Sequence, residues 1–210
     1  MKTKRILIET VLVASIAIAG MLSFPQAKMI FALLPPVYLL VERSLRHRTW
    51  AELGFKFDSL WQDLRASWVW FVLAGFVIQP LTGLLAKAFA PAYLLHILSR
   101  LPFPEDINWV VLVPLLALSL LLEEMTFRAL IQGRLTPFIG KTGAILLASL
   151  LFAIAHFYPG TYLVVAIDLA TLFIDSILYG VIYARSNNLI VTWAAHLIGD
   201  ILGMIFLLNL

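Results

Sequence analysis

The chain has no cysteine and few charged side chains among its 210 residues. Without cysteine, disulfide bonds, thiolate nucleophiles and thiolate metal ligands are all excluded. Charged residues make up 13% of the chain, about half the ~25% typical of soluble proteins. Hydrophobic residues make up 62%, and the mean hydropathy is +0.97. These proportions exclude an ordinary soluble domain and indicate an integral membrane protein.

Apolar segments recur along the whole chain, and a bilayer core of roughly 30 Å requires about 20 such residues in a helix. We predict an all-α, polytopic transmembrane bundle of about seven spans in a single domain, residues 1–210. The predicted spans are 6–24, 29–41, 67–90, 107–128 with an extension to about 135, 142–157, 162–184 and 189–208.

The basic residues indicate topology rather than a nucleic-acid partner, because most of them lie between the apolar segments. Their distribution predicts an N-terminus on the cytoplasmic side of the cell membrane. Lys2, Lys4 and Arg5 precede the first segment as in a signal peptide, but Pro25 interrupts the cleavage pattern. We therefore interpret this segment as a retained anchor.

One polar connector, residues 43–67, has apolar residues at steps of three and four. This spacing predicts an amphipathic helix on the cytoplasmic leaflet. Such a helix would seal the bundle or help to deliver a membrane-attached substrate. Its apolar positions are Trp50, Leu53, Phe57, Leu60, Trp61 and Leu64.

Ionisable residues interrupt the later spans, although each costs roughly 2.5 to 3.5 kcal/mol at membrane depth on insertion scales. Such residues therefore tend to face a bundle interior and to mark function. With a rise of 1.5 Å per residue, four of them fall near the middle of the bilayer on three helices, which predicts one buried polar site. These four are Glu123, His156, His196 and Asp200.

Helical spacing suggests different roles for two adjacent glutamates. Glu124 and Arg128 are four apart, so we expect an ion pair between them. Glu123 points about 100° away and is the candidate general base, facing the histidines. Asp168 and Asp175, seven apart in the sixth span, would support the site or line a wet crevice.

Three motifs in order resemble those of the CAAX prenyl protease and bacteriocin-processing family of membrane proteins, also called CPBP or Abi. They are Glu123-Glu124-Met-Thr-Phe-Arg128, Phe152-Ala-Ile-Ala-His156 and His196-Leu-Ile-Gly-Asp200. They place a motif-bearing catalytic core at about 107–208. Many members have Asn in the last motif where this chain has Asp200.

The resemblance implies an intramembrane endopeptidase acting on a membrane-associated peptide or protein that could carry a lipid. By this analogy, Glu123 and His156 activate a water molecule, while His196 and Asp200 steady the oxyanion or position the substrate. Glu124 and Arg128 would hold the geometry, and Phe152 would shape the pocket wall. The aspartate at position 200 favours a role in orienting His196.

Two water activators are compatible with these residues. Glu123 can act as a metal-free general base, the interpretation that we favour. Alternatively, zinc or another divalent metal could bind to His156, His196 and Glu123, although the chain has no HExxH pair. A different class of function is a non-proteolytic binding, immunity or regulatory protein on the same scaffold. A transporter or proton relay is less favoured, because it would spread polar residues across the bilayer.

Overall fold

A computed structural model describes residues 2–100 and 108–209, and these residues form α-helices joined by short turns without any β-strand. The fold class predicted from the sequence is confirmed. The helices are α1 (Lys2–Ser23), α2 (Lys28–Leu45), α3 (Leu60–Val72), α4 (Ile78–Phe89), α5 (Pro91–Arg100), α6 (Trp109–Glu124), α7 (Gly133–Ala155), α8 (Tyr162–Ser186) and α9 (Leu189–Leu208).

Within residues 2–100 and 108–209, five helical runs are long and apolar enough to cross a membrane, as an integral membrane protein requires. The predicted number of seven spans is not confirmed. Six of the seven predicted spans overlap these runs, two of them in the longest run, whereas the predicted span 29–41 lies in α2, outside all five. The runs are Lys4–Ser23, Leu60–Phe89, Trp109–Ala155, Tyr162–Ser186 and Leu189–Leu208.

The longest run has 47 residues and would measure about 70 Å as a straight helix, more than twice the bilayer core. Gly140 breaks it, with φ 75° and ψ 167°. Glycine adopts this backbone conformation without steric cost. The break therefore separates the helix that carries the glutamates from the helix that carries Phe152 and His156.

The prediction of an amphipathic helix over residues 43–67 is wrong. The chain leaves α2 at Leu45, makes a 3₁₀ turn at Ala51–Leu53 and begins α3 only at Leu60. His47 and Gly54 have positive φ values of 52° and 98°, which end regular helical structure between these elements.

Contacts with a distant turn explain why this connector is not helical. The Gly54 carbonyl accepts the Leu189 amide at 2.7 Å, and the Lys56 carbonyl accepts Asn188 Nδ2 at 2.7 Å. Leu53 is buried in the same apolar cluster as Leu189. The connector is thus tied to the turn between α8 and α9, a tertiary contact that outweighs its helical periodicity. The short helix α5 was not predicted from the sequence.

Two stretches of π-helix interrupt the bundle, at Leu73–Val77 between α3 and α4 and at Met125–Gln132 between α6 and α7. Such wider turns often occur at functional sites. The second stretch begins directly after Glu124, and Arg128 lies within it. Its residues are almost all buried, so the irregular backbone is enclosed by protein, as membrane depth requires.

Candidate active site

Glu124 and Arg128 form an ion pair at the centre of the bundle. Arg128 Nε lies 3.3 Å from Glu124 Oε2, and the two side chains are 0% and 1% exposed. Arg128 Nη2 also donates to Ser176 Oγ of α8 at 2.8 Å. The predicted pairing is present, and together with the bond to Ser176 it joins the end of α6, the π-helix and α8 in the buried interior.

His196 of α9 is held at both of its ring nitrogens by carboxylates. Nδ1 donates to Glu124 Oε1 at 2.8 Å, and Nε2 lies 3.8 Å from Asp200 Oδ1. The Tyr179 ring stacks on the imidazole, with centroids 4.2 Å apart. The expectation that Glu123 alone faces the histidines is therefore wrong, since Glu124 binds His196. One carboxylate oxygen of Glu124 serves the histidine and the other serves the arginine.

Glu123 is placed beside the other histidine. Its Oε2 lies 3.7 Å from His156 Nε2. His156 follows the last residue of α7, and its Nδ1 lies 2.8 Å from the Phe152 carbonyl oxygen. A carbonyl can only accept, so Nδ1 carries the proton. In the neutral ring, Nε2 then has a free lone pair directed towards Glu123.

Exposure separates these residues into two layers. The side chains of Glu123, His156 and Asp200 are 24%, 29% and 30% exposed, whereas those of Glu124, Arg128 and His196 are 5% exposed or less. The first set therefore reaches the surface of the bundle, whereas the second set is buried in its interior.

Phe152 lies between the two histidines. Its ring centroid is 4.3 Å from that of His156 and 6.0 Å from that of His196. Phe127 of the π-helix packs against its edge at 5.0 Å. Phe152 thus forms an apolar wall on which both imidazoles rest, as its spacing from His156 suggested.

The two aspartates of α8 lie in different surroundings. Asp175 Oδ2 accepts a hydrogen bond from Gln79 Nε2 of α4 at 2.8 Å, and Gln79 packs beside Gly199, the neighbour of Asp200. Asp168 Oδ2 lies 3.6 Å from His96 Nε2 of α5, and the His96 ring meets Tyr158 edge to face. Asp175 is therefore next to the candidate site, whereas Asp168 belongs to a separate polar cluster.

Sequence reasoning missed three residues at this site, namely Gln79, Ser176 and Tyr179. Gln79 is a lone amide in an apolar run, which is a usable signal for a buried hydrogen bond. Ser176 and Tyr179 are common residues in transmembrane helices, so nothing in their spacing indicates that they contact Arg128 and His196.

The three metal ligands considered from the sequence do not meet. Glu123 pairs with His156, while His196 is bonded to Glu124. Among residues 2–100 and 108–209, no three His, Asp or Glu side chains are arranged to hold a metal ion. The donor set present in this arrangement thus does not fit a three-ligand zinc site.

Residues 105–202 match the model of a known family, the type II CAAX prenyl endopeptidase Rce1-like family. The match confirms the family predicted from the sequence. This Rce1-like segment contains all three motifs, and the family is one of CAAX-type intramembrane proteases. No curated protein and no solved structure matches the chain.

Proposed function

We propose that this protein is an intramembrane endopeptidase that hydrolyses a peptide bond in a membrane-associated substrate. The observation that carries the proposal is the pair formed by Glu123 and His156 on the accessible side of the Rce1-like segment. Both side chains are partly exposed, and both are supported from behind by residues of a closed interior. A carboxylate next to a histidine can take a proton from a water molecule bound between them, as general base catalysis requires.

In the proposed reaction, a water molecule binds between Glu123 and His156. Glu123 takes a proton from the water as its oxygen attacks the scissile carbonyl carbon. The proton is then delivered to the amide nitrogen as the carbon–nitrogen bond breaks, giving a carboxylic acid and an amine. The second proton of the water then passes from the acid to the amine, which leaves a carboxylate and an ammonium group. His156 Nε2 can share the proton during this transfer, because Nδ1 is committed to the Phe152 carbonyl.

His196 acts on the substrate in this proposal, and Asp200 acts on His196. His196 is fixed by Glu124 at Nδ1 and by the stacked Tyr179 ring, so its Nε2 edge has a defined direction. With a proton on each ring nitrogen, Nε2–H can donate to the carbonyl oxygen and steady the charge that develops there. Asp200, 3.8 Å from Nε2, orients the ring, as expected for an aspartate in place of the asparagine found in many members.

In this proposal no metal takes part. Glu123 activates the water, and His156 assists it. The substrate is a membrane-associated polypeptide that could carry a lipid, approaching from the bilayer or from its cytoplasmic face. The protein would lie in the cell membrane with its N-terminus in the cytoplasm, as the basic residues near α1 favour.

Cleavage of membrane-tethered peptides by the purified protein tests the proposal. Glu123→Gln removes the base but keeps the size of the side chain, and Glu52→Gln is the matched control at an exposed glutamate. We expect Glu123→Gln to lose at least about 100-fold in rate, the usual contribution of a general base, and Glu52→Gln to keep full activity. Chelator should leave wild-type activity unchanged.

Other results would contradict parts of this function. Loss of activity in chelator, restored by zinc, would replace the glutamate mechanism with a metal mechanism. Peptide binding without cleavage, equal in wild type and Glu123→Gln, would favour the non-proteolytic binding protein instead.

A further inference from the structure

An apolar groove runs along α1 and is lined by none of the candidate catalytic residues. Its volume is about 410 Å³, and apolar side chains of α1, the second π-helix and α7 line most of it. Small residues such as Ala14, Ser15 and Ala19 leave the space on the α1 side, while Leu147 and Leu151 form the opposite wall. The hydroxyl of Thr10 donates to its own helix, to the Ile6 carbonyl at 2.8 Å, so the groove offers little to a polar ligand.

The groove is long and apolar. It follows α1 from Thr10 to Leu22, about 18 Å along the helix axis. An extended acyl chain can lie along an apolar groove of this length.

One end of the groove is basic. Lys4 and Arg5 precede Thr10 by about one and a half turns on α1, and both are exposed. Tyr38 bonds both Glu9 of α1 and Arg134 of α7, so the start of α7 lies at this end of the groove. The break at Gly140 follows within two turns, and exposed Lys141 is therefore placed towards the same end. Arg5 also pairs with Glu9 at 2.8 Å. This end lies at the polar edge of the first apolar run, the level at which lipid headgroups are found.

A second ionic cluster next to this end holds more arginines than glutamates. Buried Glu42 of α2 binds Arg46, Arg48 and Arg134, and Glu9 binds Arg5 and Arg46. The four arginines therefore leave two positive charges uncompensated by these glutamates, and Lys4 and Lys141 add further positive charge to this end.

We propose that this groove is a binding site for an anionic phospholipid, with one acyl chain along α1 and the phosphate between Lys4, Arg5 and Lys141. Basic groups near transmembrane helices attract anionic headgroups, and the apolar floor takes the tail. Ala14, Ile18, Ile131 and Leu135 of the floor belong to the same buried cluster as Phe152. A bound lipid therefore also completes the packing behind the helix that carries His156.

Native mass spectrometry of the full-length protein, released from nanodiscs with equal amounts of phosphatidylglycerol and phosphatidylcholine, tests the site. We expect wild type to retain one phosphatidylglycerol with about tenfold preference. Arg5→Gln and Lys141→Gln should each reduce the preference about fivefold, whereas Arg65→Gln, at an exposed arginine of α3, should leave it unchanged.

A second pair of variants tests the groove itself. Ser15→Leu fills it and should abolish retention, whereas Ile16→Phe, at an exposed position on another face of α1, should not. Phosphatidylglycerol should also raise the midpoint of thermal unfolding in wild type but not in Ser15→Leu. Because no substrate is present, these results do not depend on the proposed peptidase activity.

Two outcomes would overturn the proposal. Equal retention of both lipids by wild type would show that the basic residues do not select an anionic headgroup. If Ser15→Leu kept its lipid but changed a dimer into a monomer, the groove would be a contact between two copies of the chain.

Discussion

Glu124 accepts a hydrogen bond from His196 at 2.8 Å although the two residues are 72 positions apart. The same carboxylate holds Arg128 through its other oxygen. Glu124 is thus the junction between α6, the π-helix and α9, while its neighbour Glu123 reaches the accessible side of the site. Two adjacent glutamates therefore have separable consequences for stability and for activity.

Replacing each glutamate should separate these consequences. Glu124→Gln leaves the fully buried Arg128 without its counter-charge, and breaking such a pair costs about 3 to 5 kcal/mol. Glu123 is 24% exposed, so Glu123→Gln should change the free energy of unfolding by about 1 kcal/mol or less. Thermal unfolding in detergent, followed by tryptophan fluorescence, measures both. Equal destabilisation by the two substitutions would contradict the separation.

Two buried serines form a matched pair for testing the role of Arg128. Ser176 accepts a hydrogen bond from Arg128 Nη2, whereas Ser149 Oγ has no hydrogen-bond partner within the described part of the chain. Ser176→Ala leaves a buried donor unsatisfied and should destabilise the protein by about 1 to 3 kcal/mol. Ser149→Ala should be neutral or slightly stabilising. The midpoints of thermal unfolding of the two variants measure this difference. A larger loss of stability in Ser149→Ala than in Ser176→Ala would contradict the prediction.

Tyr179 should act through its ring rather than through its hydroxyl. The ring stacks on His196, while the buried hydroxyl has no hydrogen-bond partner among the described residues. Tyr179→Phe should therefore keep both stability and peptide cleavage. Tyr179→Ala should lose about 3 to 5 kcal/mol from the cavity that it creates. A stable Tyr179→Phe protein without activity would instead assign the hydroxyl to the reaction.

Alanine substitutions at two helical glycines should change the free energy of unfolding in opposite directions. A Cβ at Gly180 would lie 3.0 Å from Gln132 Oε1 and from Ile145 Cγ2, whereas one at Gly143 would meet nothing closer than 3.5 Å. Gly180→Ala should cost about 1 to 3 kcal/mol from overpacking. Gly143→Ala should stabilise the protein by about 0.5 to 1 kcal/mol, because glycine is unfavourable within a helix. Unfolding midpoints of the two variants, measured side by side, check this difference.

The sequence alone determined the fold class and the contacts that lie within one helix, because both follow from helical geometry. Long apolar runs imply a membrane bundle, and residues four apart share a helix face. For this reason the pairs Glu124 with Arg128 and Phe152 with His156 were predictable from spacing. The motifs also identified the family, because motif order is a property of the sequence itself.

Only the tertiary structure decided which residues meet across helices. The contacts of His196 with Glu124 and of Gln79 with Asp175 join positions 72 and 96 apart. These contacts depend on how the helices are rotated and how they cross. The periodicity of residues within one helix does not specify either. The same reason explains the failed helix over residues 43–67, where long-range bonds to Asn188 and Leu189 replace local ones. Local spacing thus selected the residues of the candidate site, and helix packing assigned each glutamate to its histidine.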